Sequence, residues 1–148
     1  MSDIKYIIIL QCDIVKERCS GFFCENAFTN RQDCFEPYAD DSDVRYISMT
    51  CGGCCGRATL RKLSNLTKLL KKKTDITNNQ IALHFSSCIC KENFHGPKCP
   101  HYDYLKELVE RKDIQWREGT TISKASEKRR DHRGHYQQQK YHGQTETH

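Results

Sequence analysis

The chain has no long hydrophobic run. Its most apolar stretch, Ile4 to Leu10 in "MSDIKYIIILQC", has no basic segment before it and no small-residue cleavage site after it. It is too short for the core of a signal peptide with its flanks, and far too short to span a bilayer. Proline is scarce: Pro37, Pro97 and Pro100 are the only three in 148 residues, and none opens a later strand. A thioredoxin-like fold sets a cis-proline beside its dithiol, so this scarcity counts against it. Net charge is also small. Of the total of +5, the segment from Lys124 onward supplies +3 through six basic and three acidic residues, which leaves the body nearly neutral. No field strong enough to draw nucleic acid follows from that. Aliphatic residues almost vanish from Ala125 onward, in "ASEKRRDHRGHYQQQKYHGQTETH", and no apolar periodicity remains. Such a segment does not bury enough surface to offset the entropy of ordering, so it reads as disordered. The division expected is one domain over residues 1–122 and a basic, His/Gln-rich tail over 123–148.

Cysteine, by contrast, is abundant. Ten of them make up about 7% of the chain, above ordinary usage but short of the density of small disulfide scaffolds. With no secretory signal in view, a cytoplasmic location is expected, and clustered thiols there favour metal or redox chemistry over structural bridges.

Hydrophobic patterning gives an alternation of strands and helices. "IKYIIILQ" (Ile4–Gln11) is a continuous β-branched run of the kind buried on both faces of a parallel sheet. Further strands are expected at Val44–Thr50, Gln80–Ser87 and Asp113–Gly119. Between Arg57 and Lys73, Leu60, Leu63, Leu66, Leu69 and Leu70 form one stripe, closed by three lysines that suit a helix C-terminus. "CPHYDYLKELVERK" (Cys99–Lys112) reads as a helix with Pro100 at its first position, Cys99 as its N-cap, and Tyr102, Leu105, Leu108 and Val109 inward. "GFFCENAF" (Gly21–Phe28) suggests a shorter one using Phe23, Ala27 and Phe28. The fold expected is therefore a small three-layer α/β domain: a short, mostly parallel sheet of about four strands with helices on both faces.

On that framework Cys12, Cys51 and Cys88 each fall just past a strand. Parallel strands share one direction, so the three thiols share the carboxyl rim of the sheet, where open α/β folds bind ligands. Cys54 and Cys55 follow at the start of the leucine helix, in "TCGGCCGRATL", where three thiols and three glycines occupy six residues. Cys99 precedes a helix, with His101 two residues on, and Cys19 and Cys24 bracket the start of the short helix. Helix N-termini favour thiolate over thiol. Cys51-x-x-Cys54 is a bidentate ligand spacing, and Cys99-x-His101 supplies nitrogen beside sulfur. Thiolates crowded on one rim repel unless a cation or a disulfide joins them, and a divalent metal resolves this most simply.

Two enzymatic readings stand beside metal binding. The Cys51-x-x-Cys54 dithiol sits at a strand-to-helix turn, as in thiol redox proteins. Cys51 to Arg57 also satisfies C-x5-R, similar to the anion-cradling loop of low-molecular-weight tyrosine phosphatases and thiol-dependent arsenate reductases, although Ala58 stands where those carry serine or threonine. His84, inside a strand, reads as a core or surface histidine. His95 reads as a loop residue, and the tail histidines His132, His135, His142 and His148 as part of a solubilising segment.

Taken in order, "QCDIVKERCSGFFCENAF", "CGGCCGR" after a strand, "SSCIC" and "GPKCPH" before a helix resemble the CGGC domain family, over roughly Ile4 to Thr121. These are small prokaryotic proteins whose cysteines and histidine suggest metal binding. The resemblance implies a metal ion as partner, with zinc the expected ion and an iron–sulfur cluster the alternative. It implies sites at Cys12, Cys19, Cys24, Cys51, Cys54, Cys88, Cys99 and His101. Cys55 stands where the family often has proline, Cys34 and Cys90 are additional, and Thr121 stands where relatives often carry histidine. The core ligand set expected is Cys12, Cys51, Cys54, Cys88 and Cys99, then His101. That exceeds four, so either some lie outside the first coordination sphere or more than one metal binds. The sequence names no substrate, no biological role and no protein partner.

Overall fold

A computed structural model describes residues 4–53, 56–90 and 99–121. Four parallel strands form one sheet in the order β2-β1-β3-β4: β1 Tyr6–Gln11, β2 Arg45–Thr50, β3 Ile81–Phe85 and β4 Gln115–Glu118. β1 lies between β2 and β3, and all six of its residues are buried. That is why its sequence is an unbroken apolar run. β2 is an edge strand and is correspondingly more exposed.

The helices are α1 (Phe22–Thr29), α2 (Arg57–Lys73), α3 (Ser87–Cys90) and α4 (Tyr102–Arg111). The side-chain period of two divides β1 between two cores. Tyr6, Ile8 and Leu10 join Leu63, Leu70, Leu105, Leu108 and Val109 under α2 and α4. Ile7 and Ile9 join Ala27, Phe28, Phe35 and Tyr38 under α1 and the 3-10 turn Asp33–Tyr38. The step from β1 to β2 runs one way along the sheet, and the steps to β3 and β4 run the other way. A single crossover hand then places α1 opposite α2 and α4, giving the three layers expected. Each fully buried Ile or Leu contributes roughly 1.5–3 kcal/mol, so the four apolar residues of β1 alone anchor both layers.

Several local expectations need correction. In α2 the inward row is Thr59, Leu63, Leu66 and Leu70, spaced by four, three and four, whereas Leu60 and Leu69 flank it at 37% and 44% exposure. In α1 the row is Cys24, Ala27 and Phe28. Phe23 lies roughly a quarter-turn off it and is 67% exposed, stacked edge-on against Phe22. α4 begins at Tyr102 with His101 as N-cap, so Pro100 and Cys99 precede it. There a tight turn comes first, in which the Cys99 carbonyl accepts the Tyr102 N–H at 3.1 Å. β3 ends at Phe85 rather than Ser87. The Ser86 N–H still bonds the Leu10 carbonyl, but the Ser86 carbonyl already accepts from Ile89 and Cys90, which starts α3, an element the sequence did not announce. The tail, the loop carrying His95, and Cys54 and Cys55 lie outside the described residues. No described helix is long and apolar enough to cross a membrane.

His84 is a core residue. It is fully enclosed between Phe35 and Tyr38, with Nε2 at 2.9 Å from the Tyr38 hydroxyl and Nδ1 at 2.9 Å from the Gly119 carbonyl. A carbonyl only accepts, so Nδ1 carries the proton and Nε2 takes the tyrosine's. Burial, reinforced by nearby Arg117 against the pull of the Gly119 bond, holds its pKa down at about 4.

Candidate metal centre

The strand ends are level. Gln11 pairs with Thr50, and beyond the last pairs the Cys51 N–H reaches the Gln11 carbonyl at 2.9 Å, Ser86 reaches Leu10 at 2.9 Å, and Gly119 reaches Phe85 at 2.7 Å. Cys12, Cys51, Cys88 and the 119–121 segment therefore leave the sheet side by side on its carboxyl rim. Cys12 and Cys88 leave the adjacent strands β1 and β3, where the strand order reverses. In open α/β sheets ligands bind at that crevice.

Around it the thiols form a continuous series. Burial pushes the Cys88 thiol up to about 11. The Ser86 hydroxyl, 2.9 Å from its sulfur, and the Cys12 N–H offset this only in part, and negative charge on Cys12 or Cys24 raises it further. Cys99 is raised chiefly by burial, against the His101 N–H, which donates to its sulfur at 3.4 Å, and it feels charge on Cys51 and Cys12. Cys24 is raised by burial against bonds from Thr120, at 3.1 Å, and Gln11, with Cys19 and Lys16 also acting on it. Cys12 thus acts on both Cys88 and Cys99, while Cys24 acts on Cys88 and Cys51 acts on Cys99. Without a cation these three raised thiols stay protonated at neutral pH. A bound cation reverses that by stabilising the thiolates.

The glycine loop supports the same rim. Gly52 and Gly53 have φ of +86° and +71°, which folds the chain back so that the Gly53 N–H meets the Cys51 sulfur at 3.4 Å. The Asp13 carboxylate packs against Gly53, where a Cβ would come within 3.2 Å of it. Arg57, the arginine of the C-x5-R spacing, is exposed. No disulfide joins the eight described cysteines. Among the described residues no three Cys, His, Asp or Glu side chains stand as an assembled metal-holding group.

A comparison with protein families matches residues 6–121 to the CGGC domain. The chain belongs to the CGGC domain family. Neither the curated proteins nor the solved structures compared with it gave a match. In this CGGC domain the structure brings Cys12, Cys24, Cys51, Cys88 and Cys99 to one rim, with Cys19 and His101 at its margin. Cys34 and Cys90 lie in the core, at 1% and 2% exposure. Thr121, just past β4, gives its hydroxyl to Asp33 at 3.1 Å.

Sequence reasoning missed the residues that hold the thiols: Thr120 on Cys24, Ser86 on Cys88 and Asp13 beside the glycine loop. Adjacency to a cysteine was a usable signal for Ser86 and Asp13. For Thr120 there was none, since its partner lies 96 residues away.

Proposed function

We propose that the rim binds a divalent metal, zinc, with four ligands drawn from the thiolates of Cys12, Cys51, Cys54, Cys88 and Cys99 and the His101 imidazole, the remainder and Cys19 and Cys24 lying in support. The observation that carries this reading is that Cys12, near the start of the chain, acts on two raised thiols, Cys88 and Cys99, that lie more than seventy residues further along it. The donor set suits zinc, being sulfur-rich with one imidazole. Four thiolates around a 2+ ion leave a net −2, and the rim offers Lys16 near Cys24 to offset it. A structural zinc supplies on the order of 10–16 kcal/mol, comparable with the roughly 5–15 kcal/mol of an ordinary domain, so metal would decide whether the rim loops hold their form. Elemental analysis of untagged protein purified without oxygen tests it. Stoichiometric zinc in a colourless sample supports the reading, a brown iron-containing sample replaces zinc with an iron–sulfur cluster, and metal-free protein refutes both.

A second reading, thiolate chemistry at Cys51, is favoured by the Gly53 N–H aimed at the Cys51 sulfur just before the 17-residue α2. A dithiol oxidoreductase would reduce a protein disulfide and lose that activity in Cys51→Ser. An oxyanion enzyme would turn over an aryl phosphate or arsenate and fail in Arg57→Ala.

A further inference from the structure

Beside the cysteine rim a cleft of about 210 Å³ opens between β1, β2 and the start of α1. The registered pair Ile9 and Ser48 lines its strand side, and the 3-10 turn and α1 contribute Lys16, Gly21, Cys24 and Glu25. Concave sites with a few converging polar groups are where small ligands bind. Here two nitrogens converge. Lys16 Nζ and Gln11 Nε2 lie 2.9 Å and 3.0 Å from the point a Cβ on Gly21 would occupy, so both nitrogens flank the same side of Gly21, where all three residues line the cleft. Gln11 is 4% exposed and its side chain also bonds Cys24, which together fix its amide in place. Lys16 gives one N–H to the Ser20 carbonyl at 2.8 Å and keeps two for a ligand. Glu25, the carboxylate in the lining, already accepts the Thr29 hydroxyl at 2.7 Å one turn along α1.

We infer that this cleft binds a small oxyanion, a phosphate or carboxylate group, with Lys16 and Gln11 as its donors. The site shares Cys24 and the charge of Lys16 with the metal reading, but neither donor is a proposed ligand, so it does not require a bound metal. A charge-assisted bond from Lys16 is worth enough that its loss weakens binding at least about tenfold.

The test is calorimetric titration of the full chain with inorganic phosphate, for the parent protein and for Lys16→Gln, with Lys128→Gln as a control for the basic tail. The expected result is saturable binding, weakened at least about tenfold in Lys16→Gln and unchanged in Lys128→Gln. Gly21→Ala puts a methyl group against both donors and also abolishes binding. An affinity unaffected by Lys16→Gln overturns the inference, as does a parent protein that binds no phosphate. Metal content, measured on the same samples, is read separately, so failure here leaves the metal reading standing and loss of metal leaves this one standing.

Discussion

Acid should destabilise this domain through one side chain, His84. Its folded pKa is about 4 because the ring is enclosed by Phe35 and Tyr38 and both nitrogens are already committed. In the unfolded chain a histidine titrates near 6.5. The folded value is the lower one, so between pH 6.5 and 4 the unfolded chain holds more protons and stability falls as pH falls. At 1.36 kcal/mol per unit the loss is about 1 kcal/mol by pH 5.5 and about 3 kcal/mol by pH 4, with little more below that. Urea unfolding at pH 7, 5.5 and 4.5, compared with His84→Gln, isolates the effect. Glutamine keeps hydrogen-bonding atoms but does not titrate, and a chelator present throughout removes any contribution from metal release in acid. The variant starts less stable at pH 7 and closes the gap as pH drops. If both proteins lose equal stability over that range, His84 is not buried in its neutral form and the account of this core is wrong.

Three further outcomes follow from other parts of the molecule. Gly56→Ala should lower stability by about 1–3 kcal/mol, read as a fall in melting temperature, because φ is +112° there and a Cβ would come within 2.9 Å of Leu108. Tyr102→Phe removes the 2.6 Å bond to the buried Glu118 carboxylate and should cost about 1.5–3 kcal/mol by urea unfolding at neutral pH. An undiminished midpoint would mean that water or another donor replaces the hydroxyl. Under the metal reading Cys12→Ser should reduce zinc affinity, measured by chelator competition, far more than Cys19→Ser, since Cys12 acts on both Cys88 and Cys99 whereas Cys19 acts on Cys24. Equal losses would remove Cys12 from the centre of the site.

The layer architecture was legible because it depends on patterns that packing does not alter. An unbroken run such as Tyr6–Gln11 has only one comfortable place, the middle of a parallel sheet, and once it is there, shared strand direction fixes which end Cys12, Cys51 and Cys88 occupy. The helix faces were legible only to within a quarter-turn. Periodicity says that a stripe exists but not how much of it the sheet can cover, and the short α1 covers only Ala27, Phe28 and half-buried Cys24, leaving Phe22 and Phe23 outside. What the pattern hid was contact between segments with no shared periodicity: Cys24 on Thr120, Thr121 on Asp33, and Tyr38 on His84. These three tie the α1 layer to the ends of β3 and β4, and the first of them holds a rim thiol. The geometry of the candidate centre thus depends on the His84 core directly beneath it. A change that loosens His84 should therefore displace Cys24 before it disturbs Cys51, which is held instead from the β1–β2 side by the Gln11 carbonyl.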